Sequence, residues 1–168
     1  MRLEIVRKTR RKVLGVSRLD VYRRRAENLI QKRILRLCPE GATLSRLGLT
    51  VFLVSDDEIH RLNREYRGKD KPTDVITFSF VEHGNHMPPP PGELFPVAEI
   101  FLSVDTIARQ AREKELEFAD ELSYMFVHGV LHAFGYDHQT EREEREMEQM
   151  AYAILQEKYP RKKEFKFR

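Results

Sequence analysis

The stretch His128-Gly129-Val130-Leu131-His132-Ala133-Phe134-Gly135-Tyr136-Asp137-His138 holds three of the six histidines of this chain. Positions i and i+4 of an α-helix share a face, roughly 6 Å apart at Cβ. His128 and His132 therefore point the same way if the segment is helical. Gly135 can adopt φ > 0 without a Cβ clash, so it can end the helix and turn the chain back, delivering His138. Residues 122–134 are apolar on most sides, which predicts a buried helix. Buried imidazoles need partners, because an unpaired polar group costs roughly 1–3 kcal/mol. A lone histidine on such a helix usually bonds a carbonyl. Three around a helix-ending glycine are better served by one shared ion. The expectation is one Zn²⁺ per chain on His128, His132 and His138, with a fourth tetrahedral position open to water as in catalytic sites.

The spacing also fits the metzincin frame H-E-x-x-H-x-x-G-x-x-H, with one replacement. Zinc peptidases carry their general base, a Glu, directly after the first histidine. Here that position is Gly129, which has no side chain. A metzincin-like metallopeptidase is therefore the alternative reading.

Working outward, the chain reads as one α+β domain over residues 1–168: a single mixed sheet of about four strands with helices packed on it, the metal-binding helix buried at the centre. Residues 3–6 alternate weakly and suit an edge strand. Ser17 or Asp20 can cap a helix that runs to about Leu37, with Ala26, Leu29, Ile30 and Ile34 on one face. Residues 47–54 are apolar enough for a central strand. Ser55 with Glu58 is a capping box opening a helix that carries Ile59, Leu62, Asn63 and Tyr66. Residues 74–81 and 99–104 are β-rich, and Asp105 is placed to cap a short helix through Ala111. The helix of the three histidines follows, from near Phe118 to Phe134. Thr140 with Glu143 is a second capping box, opening a helix with Met147, Met150, Ile154 and Leu155. Between the third and fourth strands lies a proline-rich stretch, residues 83–97, whose four consecutive prolines cannot continue a ladder. Its His83 and His86 read as exposed spacers in a stiff loop.

The net charge of +3 conceals a strong asymmetry. Residues 1–37 hold 13 Lys/Arg against 3 Asp/Glu, residues 112–148 hold 4 against 11, and residues 158–168 hold 6 against 1. Basic ends on a mixed chain suggest a polyanion partner, most simply nucleic acid. The competing reading is that Arg23, Arg24 and Arg25 only solvate a helix face. The tail 158–168 offers little to bury and is expected to be flexible. A single cysteine, Cys38, excludes an intramolecular disulfide and fits a reducing compartment. No apolar run approaches 18 residues and no secretory signal is visible, so the expected setting is cytoplasmic, without a membrane partner.

Two segments together resemble one family. The first is Leu62-Asn63-Arg64-Glu65-Tyr66-Arg67-Gly68-Lys69-Asp70-Lys71-Pro72-Thr73-Asp74-Val75-Ile76-Thr77-Phe78. The second is the run from His128 to His138. Both are similar to the YbeY family of metal-dependent endoribonucleases, which act in ribosomal RNA maturation. The likeness covers roughly residues 45–150. One departure is Ala98-Glu99-Ile100, where the family usually has Gly-Asp-Ile.

The resemblance implies a zinc-dependent, single-strand-specific endoribonuclease acting on ribosomal RNA precursors, the 3′ end of 16S rRNA included, with the ribosome or its proteins as possible partners. It also implies that Arg67 faces the metal cleft. A guanidinium binds phosphate in bidentate fashion and keeps its charge at any working pH. The structural alternative pairs Arg67 with Asp70 or Asp74. Asp137, next to the third histidine, suits either a base or orienter of an imidazole, or a cap for its own turn. A non-enzymatic assembly factor with a structural metal is the third class. An open coordination position in the cleft separates it from the enzyme.

Overall fold

The computed structural model describes residues 1–81 and 92–156. His83, His86, the prolines at 88–91 and the basic tail lie outside the described residues. In chain order the elements are β1 (Arg2–Arg7), α1 (Arg18–Leu37), β2 (Leu47–Val54), α2 (Asp56–Arg67), β3 (Val75–Ser79), β4 (Phe95–Ser103), α3 (Val104–Glu113), α4 (Phe118–Ala133) and α5 (Glu141–Leu155). A short 3-10 turn, Leu44–Arg46, leads into β2. The four strands form one mixed sheet in the order β1-β2-β4-β3. β1, β2 and β4 run parallel, and β3 returns antiparallel along the outer edge of β4.

Alternation along the strands gives the sheet two unlike faces. Val75, Thr77 and Ser79 of β3 share a face with Ala98, Ile100 and Leu102 of β4, and this face receives α4. The main core lies here, with Leu49, Val51, Ile100, Leu102, Phe126, Val130 and Phe134 buried together with α1 and α5. The opposite face holds a smaller cluster of Val54, Ile76 and Phe101 under Ile59 and Leu62 of α2. Twelve of the sixteen residues of α4 are buried, as its nearly continuous apolar sequence requires.

Local chemistry sets most of the boundaries. Ser55 accepts from the Glu58 amide at the start of α2. Thr140 and Glu143 satisfy each other's backbone N–H groups at the start of α5, a complete capping box. Two boundaries differ from the sequence reading. β4 begins at Phe95 rather than near 99, because Pro96 lies opposite Gly48 at a register irregularity of β2, where a missing N–H is tolerated. The cap of α3 is Ser103, whose hydroxyl accepts from the Thr106 amide, and not Asp105. Asp105 instead accepts from the Asp56 amide and pairs with Arg11.

Candidate metal centre

Helix α4 packs directly onto β3 and β4, and that approach fixes what position 129 can hold. A Cβ on Gly129 would sit 2.8 Å from Ile100 Cγ2 and 3.1 Å from Thr77 Oγ1. The Thr77 hydroxyl donates to the Gly129 carbonyl at 3.3 Å, and Ser79 donates to the Ala133 carbonyl at 2.8 Å. The glycine is thus a contact point between helix and sheet. A glutamate there would have to displace the helix.

The neighbouring positions turn the other way. His128 and His132 face each other with their Nε2 atoms 3.0 Å apart. After Ala133 the helix closes in a Schellman arrangement: the Gly135 amide donates to the His132 carbonyl at 3.0 Å and the Tyr136 amide to the Leu131 carbonyl at 3.0 Å. Gly135 has φ +71°, which an L-residue adopts only with strain. The reversal brings the His138 ring to 5.6 Å from His128 and 5.1 Å from His132, centre to centre. One ligand nitrogen from each imidazole falls within a group no wider than 4.8 Å.

These residues fit a transition-metal ion. Two tetrahedral ligands at about 2.0–2.1 Å stand about 3.3 Å apart, close to the His128–His132 separation. The donors are imidazoles, which suit zinc, copper, iron or nickel over calcium or magnesium. Burial holds His128 neutral, with its pKa lowered to about 3, and the two neighbouring histidines push in the same direction. His132 is lowered too, by burial first and then by His138, against the opposing pull of Asp137 and a hydrogen bond to the Tyr136 backbone. Neutral imidazoles are the form that binds metal.

Arg67 is the last residue of α2, and Gly68 ends the helix in the left-handed region at φ +66°. Its charge reaches His132, whose protonation it disfavours. The side chain is exposed and, among the described residues, makes no hydrogen bond or ion pair. Both carboxylates proposed as its structural partners are engaged elsewhere. Asp70 bonds His60 Nε2 at 2.8 Å. Asp74 accepts from the Val75 amide, from Thr73 and from Gln110 Nε2. Beneath them Asn63, buried at 2 % exposure, donates to the Lys71 carbonyl at 2.7 Å and fastens the loop after Arg67.

Asp137 fastens its own turn. Its Oδ1 accepts from the His138 amide at 2.8 Å and its Oδ2 from Gln139 at 2.8 Å. The basic segment near the N-terminus is likewise partly internal. Arg23 is buried and ion-paired to Asp20 and Glu27, Arg24 pairs with Asp20, and Arg25 reaches the Ile154 carbonyl. These three arginines are therefore neither a free phosphate patch nor a purely solvated face. Sequence reading also missed Arg33 of α1. It lies against the 134–136 turn, donating from Nε to the Phe134 carbonyl at 2.6 Å and from its other arm to the Gly135 carbonyl.

Comparison with known proteins agrees with this arrangement. The family model described as Endoribonuclease YbeY matches residues 16–158. The Endoribonuclease YbeY of Bacillus subtilis is 43% identical over 129 residues, covering 72% of this chain and 76% of the relative. That of Neorickettsia sennetsu is 38% identical over 127 residues, covering 76% and 81%. A protein of Thermotoga maritima solved in solution superposes with a TM-score of 0.55 at 25% identity, over 93% of this chain and 91% of the other. With the family match running through both sides of the histidine cluster, the chain belongs to the endoribonuclease YbeY family.

Proposed function

We propose that this protein is a zinc-dependent endoribonuclease that cuts single-stranded RNA during ribosomal RNA maturation in the cytoplasm, with the 3′ end of 16S rRNA as the target. The observation that carries the reading is the pairing of a three-histidine cluster, in which burial favours the neutral form of His128 and His132, with an exposed arginine at its edge that makes no hydrogen bond or ion pair among the described residues. His128, His132 and His138 would hold the ion. A bound zinc ion supplies Lewis acidity towards a phosphoryl oxygen and towards water.

The chain's own groups divide the remaining work. Arg67 binds and orients the scissile phosphate and stabilises the charge that grows on it, through two parallel N–H donors. Lys69 and Lys71, exposed on the loop that Asn63 and Asp74 hold in place, extend the positive edge along the strand. Asp137 keeps His138 in register and sets a negative charge beside His132. Each of its oxygens accepts one hydrogen bond and keeps a second lone pair, so the same carboxylate can also take a proton. The attacking oxygen is water or the RNA's own 2′-hydroxyl, and a single 2′-deoxy substitution at the cleavage position separates the two.

Gly129 argues against the peptidase alternative on steric grounds. The place of the catalytic glutamate is filled by the sheet. The test is cleavage of a single-stranded RNA by the chelator-treated protein, before and after zinc is restored, beside duplex RNA and a casein substrate. The expected result is zinc-restored cutting of the single strand alone. Hydrolysis of casein, or RNA cleavage indifferent to the chelator, would refute it.

A further inference from the structure

The turn that carries the third histidine is held by a residue a hundred positions upstream. Four carbonyls at the end of any α-helix lack intrahelical partners. In α4 the Schellman bonds satisfy those of Leu131 and His132, and Ser79 satisfies that of Ala133. The next two, Phe134 and Gly135, are both taken by Arg33 of α1. The same guanidinium lies over the Tyr136 ring, 4.1 Å from its centre. Three consecutive residues of the reversal are thus fixed by one side chain. His138 follows two residues later. α1 departs from helical geometry at Ile30 (φ −113°, ψ 18°), three residues before Arg33, so the half of the helix that bears the clamp has its own direction.

We infer that Arg33 is a positioning residue of the metal centre: it seats the 134–136 turn so that His138 arrives as the third ligand. The inference rests on the proposed metal role of the three histidines. Arginine suits the task for three reasons. Its planar fork reaches two adjacent carbonyls at once, its face stacks on an aromatic ring, and its charge complements the negative end of α4. Lysine keeps the charge and loses the fork.

The test uses the full chain, freed of metal by chelator and titrated with Co²⁺, read by visible absorption and by competition with Zn²⁺. Arg33→Ala is expected to weaken Co²⁺ binding about 10–100-fold, as loss of a partner that orients a ligand does. Arg33→Lys is expected to recover part of it, and it carries the test should the alanine variant fail to fold. The decisive arm is a double-mutant cycle. If Arg33 acts through His138, then in a His138→Ala background Arg33→Ala costs less than about two-fold, because the two losses are one loss. An equal cost in both backgrounds would mean general loosening of the fold and would overturn the inference, as would unchanged affinity in Arg33→Ala. Wild-type protein that takes up no Co²⁺ would instead overturn the metal reading beneath it, and this inference with it.

Discussion

The histidine cluster and the arginine whose charge reaches it are built on opposite terms. On one side His128, His132 and His138 sit on a buried helix and a turn held by Thr77, Ser79, Arg33 and the Schellman bonds. On the other, Arg67 stands at a helix end with no partner among the described residues, while its neighbours are tied down by Asn63 and Asp74. The ligand side is over-determined and the arginine side is left open. The difference suits the tasks proposed for them. A metal site whose three nitrogens are already held near their final separations spends less of the ion's binding energy on ordering them. A phosphate-binding guanidinium already satisfied by a carboxylate would have to break that pair first. The contrast predicts that stability and metal binding respond together on the histidine side, whereas activity separates from stability on the arginine side.

The largest effect is expected at the ligands. His132→Ala should lower zinc affinity by orders of magnitude, read by elemental analysis after gel filtration. Stoichiometric zinc retained when all three histidines are replaced by alanine would end the assignment. Next comes Arg67. Removing a donor to developing charge typically costs about 10²–10³ in turnover. Arg67→Ala should lose that much RNA cleavage with metal content unchanged. Its melting temperature should stay near wild type, because an exposed substitution with no partner moves stability by only about 0.5 kcal/mol. Arg67→Lys should recover a fraction. An early-melting alanine variant would show that Arg67 has a structural partner after all and would erase the contrast between the two sides.

Gly129 probes how tightly the ligand side is held. The Cβ of Gly129→Ala would meet Ile100 at a distance real side chains do not occupy and Thr77 at a tight one, and overpacking of this kind costs about 1–3 kcal/mol. A chemical-denaturation midpoint shifted by that amount is the expected result. Gly129→Glu should cost more, because it also carries a charge towards the sheet. A stable Gly129→Glu variant with peptidase activity would restore the protease reading.

How far the sequence revealed this depends on how local each cause is. The apolar run of α4, Gly135, the N-cap at Ser55 and the capping box at Thr140 act within a few residues, so they are readable and the structure has them, although Glu58 pairs with Arg61 and leaves the expected box at Ser55 half made. Pro96 hid the first half of β4 because it signals a break, and only the pairing with Gly48 shows where a proline is tolerated. Asp105 looked like a cap because its type is right, but Ser103 is the residue whose φ/ψ and hydroxyl meet the first turn. Arg23 looked like a surface charge until Glu27 and Asp20 enclosed it. Arg33 had no local signature. Its partners are carbonyls, which carry no sequence information, about a hundred residues away.

The smallest effect concerns acid, and it sharpens the claim that the ligand side is preorganised. Burial, aided by His132 and His138, lowers the pKa of His128 from the ordinary 6.5 to about 3. Between those values the unfolded chain binds a proton that the folded chain does not. The stability that depends on a neutral His128 is therefore complete above about pH 6.5 and is lost as pH falls towards 3. His132, shifted in the same direction, adds to the loss. In metal-free protein the drop from His128 alone should be about 1 kcal/mol from pH 6.5 to 5.5, read from urea midpoints at each pH. His128→Gln removes the titrating group and should flatten that slope. If the wild-type slope persisted in His128→Gln, the acid sensitivity would belong to other groups. His128 would then be more loosely held than its 8 % exposure indicates, and the contrast with Arg67 would narrow.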